Sequence, residues 1–245
     1  MSPVAAPSPI ASQTAINVLT ALLEGNDRLI GDRIVDALVN QETSFFRDAA
    51  VFDVLIEAVA LAEAEHRRVR IWCAGCSTGQ EPLSLAMIFA ERHAASGAPM
   101  PEIVATDVSE AAIARCRSAR FTQFEIQRGL PVRRMICWFD TTGSDWVAKP
   151  ELVKLVTFRR MNLVSDQPPP GRFDIILCRN VLLYLSTETK TGVFPKFADA
   201  LNPGGKLVLG AGETVIGQTS AFEPSREFRG FYQVNTKHPR TRSTK

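Results

Sequence analysis

The spacing of apolar residues divides the chain into two parts. In the first, apolar residues recur every three or four positions, which predicts a short helical region over residues 14–66. From Arg70 onward, short apolar runs of strand length alternate with helical patterns. Because this alternation is typical of a parallel, doubly wound α/β sheet, we assign residues 67–235 to such a domain. The helices predicted in the first part lie at 14–24, 29–38 and 49–65.

One stretch of the second part, residues 122–154, breaks the alternation. It carries glycines and prolines between aromatic residues, so we expect an insertion with a helix and a few short antiparallel strands. Residues 202–205 (NPGG) are a predicted turn, because proline fixes φ and glycine permits positive φ. The strands predicted for the sheet are 70–74, 102–106, 153–158, 173–178, 206–209 and 230–234, with helices at 83–90, 110–119 and 189–201.

The composition is that of a globular protein with balanced charge. Hydrophobic residues make up 45%, enough for a core, and 28 basic against 26 acidic side chains argue against long-range attraction to nucleic acid or an anionic membrane. We find no apolar run of bilayer length and no signal peptide. An odd number of cysteines, five, favours a reducing cytoplasm over a disulfide framework. Residues 1–13 are a predicted disordered lead-in, and 236–245 a basic tail.

The first candidate site is the turn between the strand at 70–74 and the next helix. Gly75 and Gly79 allow the backbone to approach a ligand closely, and the helix that follows offers free N–H groups. A tight turn without a ligand is the alternative. Asp107, at the end of the next strand, is placed to bind ribose hydroxyls, or else to cap the helix after it, and both roles are compatible.

Other polar residues follow later strands. Asn180 and Tyr184 come after the strand at 173–178, where an amide and a phenol can bind cofactor or substrate, the alternative being a turn cap and a core tyrosine. Asn162–Leu163 forms another strand-end loop able to contact an adenine. The C-x-x-C spacing of Cys73 and Cys76 also fits a redox or zinc site. Without further ligands we interpret both as small apolar residues and predict no metal site.

Several segments together resemble one family, the CheR-type methyltransferases. NQETSFFRD (residues 40–48) resembles the T-N-E-T-x-F-F-R signature of that family, and RIWCAGCSTGQEPLSLAM (70–87) resembles its cofactor loop. The resemblance extends over about residues 29–234 and includes VATDVSEAAIARCRSARF, RRMNLV, FDIILCRNVLLYLS and NPGGKLVLGAGE in the family's order.

The resemblance implies a fold and a reaction. The fold is a Rossmann-like class I methyltransferase domain with a short N-terminal helical segment and an inserted small antiparallel β-subdomain. The cofactor is S-adenosyl-L-methionine, converted to S-adenosyl-L-homocysteine by in-line displacement. The acceptors are glutamate side chains in the cytoplasmic domains of bacterial chemoreceptors, which become methyl esters. No nucleic-acid partner is implied, and the oligomeric state is not predicted.

The resemblance also assigns residues. Cofactor contacts of the family fall on the signature, the loop and the strand ends, in addition to Gly75 and Gly79 of the turn: Gln41, Thr43, Arg47, Glu81, Asp107, Asn162, Leu163, Asn180 and Val181. Tyr184 matches a tyrosine on the substrate side, and a further family arginine corresponds to Arg67 or Arg68. We assign these three residues to catalysis.

This chain departs from the family pattern in four places. Gln41 replaces the usual asparagine, and Gln80 stands where glutamate is common. Only residues 1–39 precede the signature, which makes receptor docking less secure than cofactor binding. The turn at 140–145 resembles the shorter version found in members that act without docking on a receptor C-terminal peptide. The alternatives are a methyltransferase of this fold with another protein or a small-molecule acceptor, a non-catalytic S-adenosylmethionine-binding regulator, and a nucleotide-dependent dehydrogenase.

Overall fold

The structure, a computed structural model, describes residues 36, 39–64 and 68–237. The chain forms two compact units, residues 1–40 and 41–245, and every element given below lies in the second. The predicted lead-in, the helix at 14–24, nearly all of the helix at 29–38 and most of the basic tail lie outside the described residues.

The second unit contains the expected alternation of strands and helices. The helices are α1 (Ala49–Glu63), α2 (Gln80–Ser96), α3 (Glu110–Ser118), α4 (Gln123–Gln127), α5 (Val132–Trp138), α6 (Pro150–Val153) and α7 (Thr187–Ala200), with a 3₁₀ turn at Leu182–Tyr184. The strands are β1 (Arg70–Ala74), β2 (Glu102–Asp107), β3 (Arg120–Thr122), β4 (Phe139–Thr142), β5 (Asp145–Ala148), β6 (Val156–Arg160), β7 (Phe173–Cys178), β8 (Leu201–Leu209), β9 (Phe222–Pro224) and β10 (Phe231–Val234).

The main sheet has the order β6-β2-β1-β7-β8-β10-β9. The first five strands are parallel, and β10 pairs antiparallel with β8 and β9. The prediction of a largely parallel α/β sheet is therefore confirmed. The prediction missed β9, and the predicted turn at 202–205 lies within β8, beside an irregular register with β7. Pro203 and the positive φ of Gly204 (79°) disturb the strand there without ending it.

Alternate residues of β1 face two separate cores, as the period of a strand requires. Ile71 and Cys73 pack in the core formed with α1, α2 and α3. Trp72 and Ala74 pack in the core formed with α7, where the indole of Trp72 contacts Phe197 at a ring separation of 5.4 Å. Helices therefore cover both faces, which explains why the central strands are continuous apolar runs.

A second sheet, of order β3-β5-β4, is antiparallel and lies between α3 and β6 in the sequence, as expected for the inserted β-subdomain. Among the residues that the structure describes, no helix has both the length and the apolar content that a bilayer crossing requires. The parallel strands bring the loops after β1, β2, β7 and β8 to one edge of the main sheet, which is where α/β folds bind ligands.

Candidate active site

The loop between β1 and α2 is tied to the neighbouring strand. The backbone N–H groups of Gly75 and Cys76 both donate to the carbonyl of Thr106, at 2.8 and 2.9 Å. Gly75 has a φ of +79°, and a Cβ there would lie 2.4 Å from Cγ2 of Val181. Only glycine therefore lets this turn pack against the loop after β7.

Gly79 begins α2 in the left-handed conformation, with a φ of +97° and no side-chain cap hydrogen bond at this end of the helix. The first N–H groups of α2 therefore have no capping side chain, and the positive end of the helix dipole favours an anionic group nearby. Next to it, Oε1 of the buried Gln80 accepts a hydrogen bond from Thr78 Oγ1 at 2.8 Å. Gln80 thus braces the loop through a neutral contact.

Asp107 organises the turn after β2. Its Oδ2 accepts from the backbone N–H of Ser77 at 2.8 Å, and its Oδ1 accepts from the N–H of Ser109 at 2.9 Å. The residue that caps α3 is Ser109, whose hydroxyl accepts from Ala112 N–H at 2.9 Å. The alternative that Asp107 caps this helix is therefore wrong. Its ribose role stays a prediction.

The signature segment is anchored by Phe45, which is fully buried. Its ring makes edge contacts with Phe121 and Phe139 of the small sheet, at centroid distances of 5.1 and 5.7 Å. Gly129 has a φ of +89°, and a Cβ there would overlap the carbonyl oxygen of Phe45 at 2.1 Å. The backbone N–H of Phe46 donates to Ser84 Oγ of α2 at 3.1 Å. The segment is therefore fixed between the small sheet and α2.

Gln41 contacts both strand-end loops. Its side-chain amide donates to Ser109 Oγ at 3.3 Å, and its backbone carbonyl accepts from Ser77 Oγ at 2.9 Å. Gln41 and Thr43 open onto a cavity of about 590 Å³. The other residues that line this cavity are Glu42, Thr78, Gln80, Arg115, Thr122, Phe124, Glu125 and Arg128. The structure thus brings the signature and the cofactor loop together around one cavity.

Two residues that the sequence did not single out hold these loops. The guanidinium of Arg179 donates to Glu81 Oε2 at 2.7 Å and to the backbone carbonyl of Arg47 at 3.0 Å. The carboxylate of Glu213 accepts from the N–H groups of Asn180 and Val181 at 2.7 and 3.0 Å. A charged residue directly after an apolar strand was a signal for Arg179. No local pattern marks Glu213.

Tyr184 is 58% exposed, so the alternative of a core tyrosine is wrong. It lies on the 3₁₀ turn just beyond Asn180, at the carboxyl edge of the sheet. Asn180 itself adopts a left-handed conformation with a φ of 58°, which asparagine tolerates better than most residues. Both residues lie at the carboxyl edge of the sheet, as expected, and their roles stay predictions.

The loop after β6 is closed on itself. The backbone N–H of Asn162 donates to Asp166 Oδ2 at 2.8 Å, and Asn162 Oδ1 accepts from Val164 N–H at 2.9 Å. The hydrogen bond from Asn162 is the main cause that lowers the pKa of Asp166 below its ordinary value. Leu163 packs against the core on the α7 side of the sheet, with its carbonyl 3.4 Å from Lys196 Nζ. The contact of this loop with an adenine stays a prediction.

The structure does not bring Arg68 to this edge. Arg68 is exposed and precedes β1, at the amino ends of the strands, whereas the loop at Gly75 follows the carboxyl end. Its charge adds to the lowering of the pKa of Glu102, which is mainly due to a hydrogen bond from Arg70. The catalytic role predicted for Arg68 therefore fails on position. Arg67, the other candidate, lies outside the described residues.

The cysteine pair of the loop is buried. Burial is the largest cause that raises the pKa of Cys73, and the contact with Cys116 is the largest that raises the pKa of Cys76. These thiols are therefore unreactive at neutral pH. Within residues 36, 39–64 and 68–237, no three histidine, cysteine, aspartate or glutamate side chains cluster as metal ligands would.

Backbone strain concentrates in the same loops. Of the described non-glycine residues, five have positive φ, and four of these belong to the signature segment, the β1–α2 loop or the residue pair after β7. They are Phe46, Asp48, Ser77 and Asn180. Strain of this kind persists where the surrounding contacts enforce it, and it is common at functional sites.

The fold and these loops define an α/β enzyme of the methyltransferase type, and comparison with known proteins gives the family. The family model described as CheR methyltransferase, SAM-binding domain, matches residues 41–230. The chain is 38% identical over 227 residues to a chemotaxis protein methyltransferase of Vibrio anguillarum, covering 89% of this chain and 82% of that protein. It is 37% identical over 191 residues to chemotaxis protein methyltransferase 1 of Pseudomonas aeruginosa, covering 75% and 70%.

The chain therefore belongs to the CheR methyltransferase family and is an S-adenosylmethionine-dependent methyltransferase. Among solved structures, a glycopeptide N-methyltransferase, MtfA, in complex with S-adenosylmethionine aligns over 62% of this chain and 48% of that one, at 14% identity. The TM-score of that alignment, 0.38, is too low to add to the assignment.

The donor groups at the edge fit this cofactor. Its amino-acid part carries a carboxylate and an ammonium, which match the uncapped N-terminus of α2, the cation of Arg47 and the anion of Glu81. Its ribose offers hydroxyls to a carboxylate, and that of Asp107 is held in place by two backbone N–H groups. The charges of these residues are thus of the kinds that this cofactor would need, and their roles stay predictions.

Proposed function

We propose that the protein methylates glutamate side chains in the cytoplasmic domains of bacterial chemoreceptors and forms methyl esters in chemotactic adaptation. The observation that carries this proposal is the fixed position of the signature segment. Phe45 and Arg179 hold it beside the β1–α2 loop and Glu81. The curated relatives named chemotaxis protein methyltransferases support the same acceptor class. A cytoplasmic location follows from that acceptor.

The cofactor residues form three groups by position. The signature supplies Gln41, Thr43 and Arg47, of which Arg47 binds the carboxylate. The loops after β1 and β2 supply backbone at Gly75 and Gly79 together with Glu81 and Asp107. The third group lies after β6 and β7 and comprises Asn162, Leu163, Asn180 and Val181.

The chain needs no strong base for this reaction. A glutamate side chain has an ordinary pKa of about 4.3, so the acceptor is already ionised near neutral pH. Bound S-adenosylmethionine supplies an electrophilic methyl group on a sulfonium. The work of the protein is then to orient the two reactants and to exclude water. Tyr184 is exposed at the edge of the site and orients the acceptor carboxylate.

Mass spectrometry of receptor fragments tests the proposal. The full chain is incubated with labelled S-adenosylmethionine and purified receptor cytoplasmic fragments. We expect methyl groups on glutamate and release of the label as methanol in base, which marks a carboxyl ester. Base-stable label on another residue type would overturn the acceptor assignment. Failure to bind either S-adenosylmethionine or S-adenosylhomocysteine would overturn the enzyme assignment as well.

Arg47→Ala is the matched variant for the cofactor site. We expect it to weaken S-adenosylhomocysteine binding by about tenfold or more, since it removes a charge-assisted pair with the cofactor carboxylate. Unchanged affinity by calorimetry would contradict the assignment of Arg47.

We further propose that the enzyme acts without docking on a receptor C-terminal peptide. The hairpin between β4 and β5 turns at residues 143–144, where Gly143 has a φ of +65°, and this short turn motivates the proposal. Receptor fragments with and without their C-terminal peptide should be methylated at equal rates. A marked loss of rate on the truncated fragment would contradict this.

A further inference from the structure

Arg179 carries a buried guanidinium at the end of β7. Its side chain is 2% exposed, and it meets acceptors from two other segments. On α2 it donates to Glu81 Oε2 at 2.7 Å. On the signature segment it donates to Asp48 Oδ2 at 2.6 Å and to the carbonyl of Arg47 at 3.0 Å. A buried arginine is costly unless it is paired, so this position requires all of these partners.

Asp48 shows that the contact shapes the signature segment. It is the N-cap of α1, where an aspartate ordinarily accepts a hydrogen bond from the first turn of its own helix. Here the side chain makes no cap hydrogen bond, and the residue adopts a φ of 57°. Its carboxylate instead pairs with Arg179. The signature segment thus lacks the usual cap hydrogen bond and has a strained backbone at Asp48, and the ion pair with Arg179 is the contact that stabilises this conformation.

The pairing with Glu81 fixes the direction of the guanidinium. The carboxylate of Glu81 is 15% exposed and belongs to the first turn of α2, next to the cofactor loop. Because the guanidinium is planar and rigid, an arginine held at one edge presents its other N–H groups in a defined direction. The position of α2 is thus transmitted through Arg179 to the backbone of Arg47.

We propose that Arg179 is a positioning residue that sets where Arg47 stands in the cofactor site. This inference rests on the proposed role of Arg47 in binding the cofactor. Arg179 acts through the backbone of Arg47 and through Asp48. Loss of the link therefore displaces the side chain of Arg47 and weakens cofactor binding, while the chemistry at saturating cofactor is little changed.

Two variants of the full chain test the link. Arg179→Lys keeps the charge, but a single ammonium cannot reproduce the planar fork between Glu81 and the signature segment. Asp48→Ala removes the ion pair on the signature side and leaves the bonds of Arg179 to Glu81 and to the carbonyl of Arg47 intact. For each, we expect S-adenosylhomocysteine affinity to fall by about tenfold, as for loss of one charge-assisted hydrogen bond. The KM for S-adenosylmethionine should rise by a similar factor, with kcat within about threefold of the parent.

A double-variant cycle separates positioning from general destabilisation. If Asp48 acts through Arg47, then adding Asp48→Ala to Arg47→Ala should reduce affinity by less than about threefold further. A further loss of about threefold or more would overturn the proposal, as would parent-like affinity in Arg179→Lys. Should Arg179→Lys fail to fold, the cycle with Asp48→Ala still decides.

Arg92→Lys is the matched control. Arg92 on α2 also makes a two-point ion pair, with Glu63 at 2.8 and 2.5 Å, but at the far end of its helix from the cofactor loop. It should bind S-adenosylhomocysteine as the parent does. The affinity readouts use the cofactor product alone, so they remain valid if the acceptor is not a chemoreceptor, whereas KM and kcat are measured with the acceptor. If Arg47→Ala binds normally, the assignment of Arg47 and this inference both fail, whereas the acceptor assignment is tested separately by the receptor fragments.

Discussion

The carboxylate of Glu213 joins two loops of the site. Its Oε2 accepts from the backbone N–H groups of Asn180 and Gly210, both at 2.7 Å. Its Oε1 accepts from the N–H groups of Val181 and Leu183, at 3.0 and 3.2 Å. One side chain therefore satisfies four donors of the loops after β7 and β8 and holds two predicted cofactor contacts in place.

Replacing Glu213 with glutamine keeps the size of the side chain but leaves one acceptor oxygen. Two of the four N–H groups then face an amide NH₂ and lose their partner. Each buried donor left unsatisfied costs about 1–3 kcal/mol, so about 2–6 kcal/mol in all. Because Glu213 is half-buried and water can replace part of the loss, we expect the lower end, about 2–3 kcal/mol.

Urea unfolding and titration with S-adenosylhomocysteine measure the effect of Glu213→Gln. We expect lower stability and weaker binding, since the backbone at Asn180 and Val181 is released. Glu223→Gln is the matched control, because Glu223 accepts one side-chain hydrogen bond, from Gln233 Nε2 at 2.8 Å. The control should stay within about 0.5 kcal/mol of the parent. Parent-like stability and affinity in Glu213→Gln would refute the reasoning.

Three further predictions follow from single contacts. Gly75→Ala should cost about 2–3 kcal/mol in urea unfolding, because it adds strain at positive φ and a Cβ overlapping Val181; unchanged stability would contradict the packing. Native protein should expose one fast-reacting thiol to a thiol reagent, Cys137, since the other four cysteines are buried; Cys137→Ser should abolish this phase. The hydrogen bond from Arg70 lowers the pKa of Glu102 below its ordinary 4.5. The ion pair therefore stabilises the protein above pH 4.5, and this stabilisation is lost as the pH falls through the lowered pKa. Glu102→Gln should therefore destabilise by less than about 1 kcal/mol at pH 7, as for an exposed pair, with the gap from the parent closing below about pH 4 in calorimetry.

The fold was most predictable for strands whose side chains are buried on both faces of the sheet. Strand β7 is buried at every position, so its sequence is a continuous apolar run that local pattern detects. Strand β9 was missed because it has only three residues, ends in Pro224 and pairs at the sheet edge. The turn residues at 202–205 indicate that the strand ends there. In the structure Leu201 pairs with Phe173, so β8 continues on both sides of these residues. Tertiary pairing overrides the local signal there.

Site residues were predictable from the sequence where their role depends on the residues next to them in the chain. Gly75 and Gly79 were recognised because they lie in a turn between a strand and a helix. Asp107 was recognised because it is an acidic residue at the end of a strand. Arg179 and Glu213 act on partners far along the chain. Arg179 and Asp48, for example, are 131 positions apart, and only the folded sheet brings them together. Arg68 failed because the resemblance placed the catalytic arginine just before β1, and strand direction puts that position at the amino end of β1, whereas the loops of the site follow the carboxyl ends.

The same long-range contacts show where in the chain the cofactor function resides. Every residue proposed to contact cofactor lies within the compact unit that begins at Gln41, and the family match begins at the same residue. Gln41 itself is bonded to Ser77 and Ser109 of the loops after β1 and β2. The signature is thus bonded to the loops that carry proposed cofactor contacts. Changes in residues 1–39 are therefore expected to affect the binding of cofactor, measured by calorimetry, less than changes in residues 41–47.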